Sequence, residues 1–168
     1  MKKLLLGIAA VCLAGFTFAQ DAPLWMRHSV ISPDGTTIAF TYKGDIYTVP
    51  VAGGRAMQIT TNPAYDTAPV WSPDSKRIAF ASDRMGSLDV YIVAKDGGEP
   101  RRLTTHSGSE TPLAFTDAGH VLFSAGIMPS AEAVVFPSNG QFNQVYRVSV
   151  EGGRPTMISS MPMECISI

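Results

Sequence analysis

Short runs of alternating apolar and polar residues follow one another along most of this chain, and some of them recur. The stretches ISPDGTTIAF at 31–40 and WSPDSKRIAF at 71–80 each place a Ser-Pro-Asp turn before an Ile-Ala-Phe alternation. Ser-Pro-Asp-Gly suits a type I turn, because proline presets φ at the second position and glycine closes the fourth. The alternation that follows is typical of a half-buried strand. Each stretch is therefore predicted to be a turn followed by a β-strand.

The rest of the repeated unit is found in three copies. In each copy a tyrosine lies six residues before the first glycine of a Gly-Gly pair, and an aliphatic residue lies six residues after that glycine. These positions are Tyr47 and Ile59, Tyr91 and Leu103, and Tyr146 and Ile158. Gly-Gly supplies the positive φ of a hairpin turn. Each copy is thus predicted to be a four-stranded antiparallel meander.

Four strands in a repeat of about 40–45 residues are typical of a β-propeller blade. The sequence therefore predicts an all-β fold with no helix after residue 20. The predicted fold contains three blades at about 24–61, 66–105 and 110–160, and the first strand of a fourth blade at 163–168. Propellers close with typically about 4–8 blades, so we expect an incomplete ring, the front portion of a longer protein. The alternative is a small protein that closes by self-association.

The first 19 residues are predicted to be a signal peptide, followed by a partial β-propeller over 20–168. Lys2 and Lys3 form a basic segment, an apolar core of 15 residues follows, and Ala19 precedes the expected cleavage point. A membrane anchor is the alternative, but 15 apolar residues are few for about 30 Å of hydrocarbon. A lipoprotein signal at Cys12 would need a small residue where Val11 stands. We expect an exported protein, periplasmic or secreted, with no membrane span after cleavage.

Charge and cysteine content exclude two other classes. The chain has 13 basic and 14 acidic residues, a net charge of −1, and loss of Lys2 and Lys3 leaves 11 basic against 14 acidic, a net charge of −3. This balance gives no support to nucleic-acid binding, which needs a basic face. Cys165 is the one cysteine outside the predicted signal. An internal disulfide is therefore not expected, and stability must come from packing.

The repeats resemble a known family. The Ser-Pro-Asp-Gly, Ile-Ala-Phe, Asp-Ile-Tyr, Gly-Gly and Leu-Thr-Thr pieces resemble the Pro-Asp propeller repeats of TolB-like proteins, over nearly the whole chain after residue 20. The segments PLWMRHSVISPDG, YKGDIY and NPAYDTAPVWSPD resemble the N-terminal propeller of exported tricorn-like serine peptidases. That resemblance implies further blades, a PDZ-like domain and a catalytic domain downstream. It also implies a propeller that filters or feeds unfolded peptides to the active site.

No catalytic, cofactor-binding or metal-binding residue is predicted in the chain itself. The nucleophile motif Gly-x-Ser-x-Gly is absent, as are His-Glu-x-x-His, Cys-x-x-Cys and phosphate-binding glycine loops. The recurring Asp34 and Asp74 are explained by their place inside the turn. We therefore expect a chain that is non-catalytic by itself.

A binding face is predicted at the loops that follow the second and fourth strands of each blade. The spacing between these strands varies, and the third blade carries an insertion at 125–142. Long loops on a rigid scaffold tend to carry function, although apolar residues of the insertion could equally pack into the ring. The candidates on this face are Tyr65, Asp66, Arg84, His106, Glu110 and Phe136.

Three functions are consistent with these observations. The first is a substrate-gating or peptide-binding propeller of an exported tricorn-like serine peptidase. Its partners would be peptides or unfolded protein segments and the downstream blades and catalytic domain of the same chain. The second is a TolB-like protein-binding module of the periplasm with no enzyme attached. The third is the propeller of a prolyl-oligopeptidase-type hydrolase.

Overall fold

A computed structural model describes residues 25–106, 108–126 and 143–158 of the 168-residue chain. Every regular element in these ranges is a β-strand, as predicted. Blade 1 contains β1 (Arg27–Ile31), β2 (Thr37–Tyr42), β3 (Asp45–Pro50) and β4 (Met57–Gln58). Blade 2 contains β5 (Asp66–Trp71), β6 (Arg77–Ser82), β7 (Asp89–Ala94) and β8 (Arg101–Arg102). Blade 3 contains β9 (Glu110–Asp117), β10 (His120–Ala125), β11 (Gln144–Ser149) and β12 (Thr156–Met157).

Each blade is one antiparallel sheet whose strands pair in chain order. The third strand of each blade places its tyrosine opposite a phenylalanine of the second, and the two rings stack. The centroid distances are 5.8 Å for Phe40 and Tyr47, 6.0 Å for Phe80 and Tyr91, and 5.6 Å for Phe123 and Tyr146. The fold is the predicted all-β propeller with three four-stranded antiparallel blades. The predicted strand at 163–168 lies outside the described residues, as do the predicted signal peptide and most of the 125–142 insertion.

The repeated Ser-Pro-Asp motif closes the hairpin between the first two strands. In blade 1 the Ser32 hydroxyl donates to Asp34 Oδ1 at 2.6 Å, and the same carboxylate oxygen accepts from the backbone N–H of Thr36 at 3.0 Å. In blade 2 Ser72 and Asp74 repeat this arrangement, and the Ser72 hydroxyl donates to Asp74 Oδ1 at 2.5 Å. These hydrogen bonds hold the pKa of both aspartates below the ordinary value. The serine and aspartate are therefore turn residues in both copies.

The turn of blade 2 also links two blades. Gly35 occupies the fourth turn position in blade 1 with φ +72°, and Ser75 takes the corresponding left-handed conformation in blade 2 with φ +56°. This conformation is unusual for a residue with a Cβ. The Ser75 hydroxyl is buried and accepts a hydrogen bond from the backbone N–H of Asp34 at 3.1 Å. The side chain thereby ties the turn of blade 2 to the turn of blade 1.

Apolar side chains fill the spaces between neighbouring blades. Between blades 1 and 2, Trp71 is 8% exposed and its indole N–H donates to the carbonyl of Val30 at 3.2 Å. The buried cluster here consists of Ala39, Ile46, Ile59, Trp71, Ile78, Phe80, Tyr91 and Val93. A second cluster joins blades 2 and 3 and includes Val90, Ile92, Leu103, Val121, Phe123 and Val148. Blade 2 thus packs against a blade on either side.

No helix in the part of the chain that the structure describes is long and apolar enough to cross a membrane.

Candidate binding face

The loops after the second and fourth strands of each blade lie at one end of the sheets, opposite the Ser-Pro-Asp and Gly-Gly turns. We call this end the loop face. The first (inner) strands of blades 2 and 3 start here, each with a backbone hydrogen bond to the loop after the second strand of the preceding blade. The Asp66 N–H donates to the Gly44 carbonyl at 2.7 Å, and the Glu110 N–H donates to the Leu88 carbonyl at 2.7 Å. These backbone bonds fix the position of the two acidic residues that the sequence singled out.

Asp66 and Arg84 form a buried ion pair beneath the loop face. Asp66 is fully buried, and Arg84 Nη2 lies 3.1 and 3.0 Å from its two carboxylate oxygens. The Arg84 guanidinium also donates through Nε to the Ser82 hydroxyl at 2.8 Å. It lies 4.5 Å from the ring centroid of Tyr91 and 5.6 Å from that of Phe80. The pair therefore joins the start of β5 to the stacked aromatic rings of blade 2.

Glu110 is the counterpart of Asp66 in blade 3, but it has no arginine of its own. It is fully buried, and neither carboxylate oxygen has a partner of good hydrogen-bond geometry among the described residues. Burial raises the pKa of Glu110 to about 7, and the nearby Asp89 carboxylate adds to the shift, while Thr104 and Arg102 oppose it. Arg102 instead lies 2.8 Å from Asp89, a second buried acid. The Glu110 carboxyl therefore keeps its proton to a higher pH than an exposed glutamate does.

An open cleft of about 470 Å³ lies at the loop face where blades 1 and 2 meet. Its lining residues are Trp25, Arg27, Thr41, Lys43, Gly44 and Tyr65. Lys43 and Gly44 connect β2 to β3 and both have positive φ, +52° and +89°, as a two-residue type I′ hairpin requires. This tight turn projects Lys43 from the scaffold with little freedom in its backbone.

The remaining candidates occupy different surroundings. Tyr65 is 42% exposed, lines the cleft, and its backbone N–H donates to Asp83 at 2.7 Å. His106 is exposed, and its Nδ1 accepts a hydrogen bond from the Gly108 N–H at 3.0 Å. Asp66 and Glu110 lie under the loop face, because each begins an inner strand at a blade junction. Phe136 lies outside the described residues.

Of the residues that line this cleft, the sequence singled out Tyr65 as a binding candidate and none of the others. Trp25, Arg27 and Thr41 belong to the start of β1 and the end of β2, where the strand pattern accounts for them and gives no functional signal. Arg27 pairs with Thr41 in register. Lys43 stands at a turn position that favours glycine, asparagine or aspartate. The lysine at this turn position was the one signal in the sequence that could have pointed to the cleft.

The described residues contain no group of three or more histidine, cysteine, aspartate or glutamate side chains arranged to hold a metal ion. The side chains that line the cleft supply cations, aromatic rings and a threonine hydroxyl.

Comparison with known proteins agrees with this architecture. Tricorn protease homolog 1 of Streptomyces coelicolor is 35% identical over 102 residues, covering 60% of this chain and 9% of that protein. The Tol-Pal system protein TolB of Bordetella pertussis is 44% identical over 55 residues, covering 32% of this chain and 13% of that protein. The crystal structure of TolB from Acinetobacter baumannii superposes with a TM-score of 0.62 at 21% identity, covering 80% of this chain and 32% of that one.

This chain spans 9% and 13% of the length of these two sequence relatives. Its likeness to the solved TolB structure concerns the fold. The family match extends further, since residues 23–167 match the tricorn protease N-terminal beta propeller domain. The chain therefore belongs to the family of tricorn protease N-terminal β-propeller domains.

Proposed function

We propose that this chain is the peptide-binding, substrate-gating propeller of an exported tricorn-like serine peptidase and is non-catalytic by itself. The observation that carries the proposal is the family match over residues 23–167. The Streptomyces coelicolor relative is far longer than this chain, which covers 9% of it. The proposal assigns peptide hydrolysis to a domain outside residues 1–168.

The surface chemistry of the loop face supports a role in peptide binding. The face combines exposed aromatic rings, at Trp25 and Tyr65, with two exposed cations, Arg27 at the start of β1 and Lys43 in the turn between β2 and β3. Rigid aromatic side chains supply contact area at low entropic cost, and cations bind carboxylates and carbonyls. These groups suit an extended, unfolded segment better than a small rigid ligand, because the cleft is open to solvent.

The test uses the full chain and fluorescein-labelled reduced casein, which stands for an unfolded segment. We expect saturable binding by fluorescence anisotropy, competition by short peptides, and no cleavage of the casein. A folded protein of similar charge serves as the control. Failure to bind any unfolded segment overturns the peptide-binding function. Cleavage that disappears on replacing one serine overturns the non-catalytic assignment.

Export is part of the same proposal and rests on residues 1–19. The basic segment at Lys2 and Lys3, the apolar core and Ala19 favour cleavage after Ala19, with the mature chain in the periplasm or medium. N-terminal sequencing of the protein recovered from its native host should begin at Gln20 or within about two residues of it. Recovery of a mature protein that retains Met1 contradicts export by a cleaved signal.

A TolB-like module that binds a folded protein partner is the second candidate. The observation that favours it is the 44% identity to Bordetella pertussis TolB over 55 residues. The reading frame distinguishes the two functions. A PDZ-like segment and a serine peptidase domain downstream support the first, whereas a stop after two or three more blades supports the second.

A further inference from the structure

We propose that the cleft of Trp25, Arg27, Thr41, Lys43, Gly44 and Tyr65 is a carboxylate-binding subsite for peptides. It would hold a carboxylate between Arg27 and Lys43 and an adjacent apolar or aromatic side chain against the rings. The proposal rests on the peptide-binding function above and adds the chemical class that the face selects.

The cleft carries two cations and lacks a counter-charge in its lining. Arg27 and Lys43 are both exposed, and neither forms an ion pair with any carboxylate in the described ranges. No acidic residue lines the cleft. Two cations that share an open cleft without a counter-charge form a local positive site, although the chain as a whole is acidic. Charge-assisted hydrogen bonds to a carboxylate are the strongest that these side chains can make.

The acidic residues near the cleft are already engaged. Asp45 accepts hydrogen bonds from Gln58 Nε2 at 3.0 Å and from the Thr60 hydroxyl at 3.1 Å. Asp83 accepts from the Tyr65 N–H. Asp66 is bound by Arg84. Within the described residues none of these carboxylates forms an ion pair with Arg27 or Lys43, which leaves the two cations available to a ligand.

Exposed aromatic rings also line the cleft. Trp25 is 70% exposed and Tyr65 is 42% exposed. The Arg27 guanidinium lies 5.9 Å from the Trp25 ring centroid, and Lys43 Nζ lies 5.3 Å from that of Tyr42. Each cation is thus held beside a ring. A ligand that carries a carboxylate next to an apolar side chain can contact a cation and a ring at the same time.

The lining of the cleft also includes a buried threonine hydroxyl. Thr41 lines the cleft and is 2% exposed, and its Oγ1 has no hydrogen-bond partner among the described residues. Buried polar groups in native proteins are nearly always hydrogen-bonded. The Oγ1 atom is itself shielded from solvent, so a bound carboxylate or peptide carbonyl accepts from it only once the side chains that cover it move aside.

A peptide fits these groups better than nucleic acid does. Nucleic acid requires an extended basic face, whereas this site has two cations in a chain with a net charge of −1. The carboxylate can come from a free C-terminus or from an aspartate or glutamate side chain, and both present the same group. A volume of about 470 Å³ accommodates a few residues of extended chain.

The experiment measures binding of the full chain to three N-acetylated hexapeptides of otherwise identical apolar sequence. The first ends in a free carboxylate, the second in an amide, and the third in an amide but with one internal glutamate. We expect the free-carboxylate peptide to bind at least about tenfold more tightly than the neutral amide. If the glutamate peptide binds as tightly as the free-carboxylate peptide, the subsite accepts a side-chain carboxylate. If the glutamate peptide binds as weakly as the neutral amide, the subsite selects the C-terminal carboxylate.

Variants locate the effect. Arg27→Gln and Lys43→Gln should each remove most of the preference for the carboxylate, and Trp25→Ala should weaken all three peptides. Lys76→Gln is the matched control, because Lys76 is an exposed cation in the Ser-Pro-Asp turn at the opposite end of blade 2. Circular dichroism verifies that each variant retains its β-structure.

The results that overturn the carboxylate subsite alone are distinguishable from the result that also overturns the peptide-binding function. If neither carboxylate-bearing peptide binds more tightly than the neutral amide, the carboxylate subsite is wrong and the peptide-binding function remains. The same conclusion follows if Arg27→Gln and Lys43→Gln both leave the preference for a carboxylate unchanged. Absence of binding by all peptides and by casein eliminates both.

Discussion

Arg84 reaches back from the loop after β6 to bind both carboxylate oxygens of Asp66, at 3.1 and 3.0 Å. The two residues are 18 positions apart, and Asp66 begins the inner strand of the same blade. Asp66 is fully buried, whereas the Arg84 side chain is 12% exposed. Because the carboxylate is desolvated, it depends on this one guanidinium for its charge balance. Together with the backbone bond from Asp66 to Gly44, the pair fixes how blade 2 begins beside blade 1.

Removing one partner of this pair should be strongly destabilising. We expect Arg84→Met to lower the free energy of unfolding by about 3–5 kcal/mol, because it leaves the buried Asp66 charge unpaired. Urea denaturation followed by circular dichroism measures the change. Glu151→Gln is the control, since its ion pair with Arg101 at 2.9 Å lies on the surface and should matter little. Equal effects from the two variants contradict a structural role for the Asp66–Arg84 pair.

Substitutions at Trp71 and at the nearby turn residue Pro73 test the contributions of side-chain packing and backbone stiffness separately. Trp71→Ala should cost about 3–5 kcal/mol, because the indole fills the space between blades 1 and 2. Pro73 is exposed, and Pro73→Ala should cost about 0.4–1 kcal/mol, chiefly by loosening the unfolded chain. Thermal and urea unfolding of both variants provide the comparison. Small and equal losses would show that Trp71 contributes little to the interface.

The repeat made the blades predictable, because its information is local. The Ser-Pro-Asp turn, the strand alternation and the Gly-Gly hairpin each follow from backbone preferences within a few residues. The stacked pair of Phe80 and Tyr91 follows from the strand alternation, because the buried face of a strand sets its register, and the same Phe–Tyr pairing occurs in all three blades although their loops differ in length. The sequence therefore predicted the order and pairing of the strands.

The interactions at the loop face were less predictable, because they depend on how neighbouring blades and loops meet. Nothing in the sequence shows that Asp66 has an arginine while Glu110, at the same place in the next blade, lacks one. The position that follows β10 as Arg84 follows β6 is Ile127, in the insertion. Similarly, the contact of Trp25 with the cleft depends on the path of the chain before β1. Such differences arise from contacts between blades and loops, which the local pattern of a repeat does not describe.

Blade 2 should be the most protected part of the described fold, because it packs against a blade on both sides. In hydrogen exchange we expect the slowest amides at residues 78–81 and 90–93, where the side chains are 0–4% exposed. Amides in the two-residue strand β4 (Met57–Gln58), whose side chains are exposed, should exchange much faster. Uniform protection of all three blades contradicts the expectation that stability depends on neighbouring blades.

Glu110 should make the stability of this chain decrease between weakly acidic and neutral pH. Its pKa rises from 4.5 to about 7 on folding, because burial and the Asp89 carboxylate disfavour the charged form. Between these two values the folded protein holds the proton and the unfolded chain has lost it. The free energy of unfolding therefore falls as pH rises from about 4.5 to about 7 and is constant, as far as this group is concerned, on either side.

The size of this effect follows from the shift, which corresponds to a loss of about 3 kcal/mol over that interval. Glu110→Gln keeps the shape of the protonated side chain and should abolish the decrease, so that wild type and variant diverge most near pH 7 and above. Asp74→Asn is the control: hydrogen bonds lower the pKa of Asp74, so its stabilisation is lost only as pH falls below the ordinary aspartate range. Urea denaturation at intervals between about pH 4 and 8 measures all three proteins. A wild-type profile that matches that of Glu110→Gln would show that the Glu110 carboxyl is paired or hydrated in solution, and that its burial at the junction of blades 2 and 3 costs nothing.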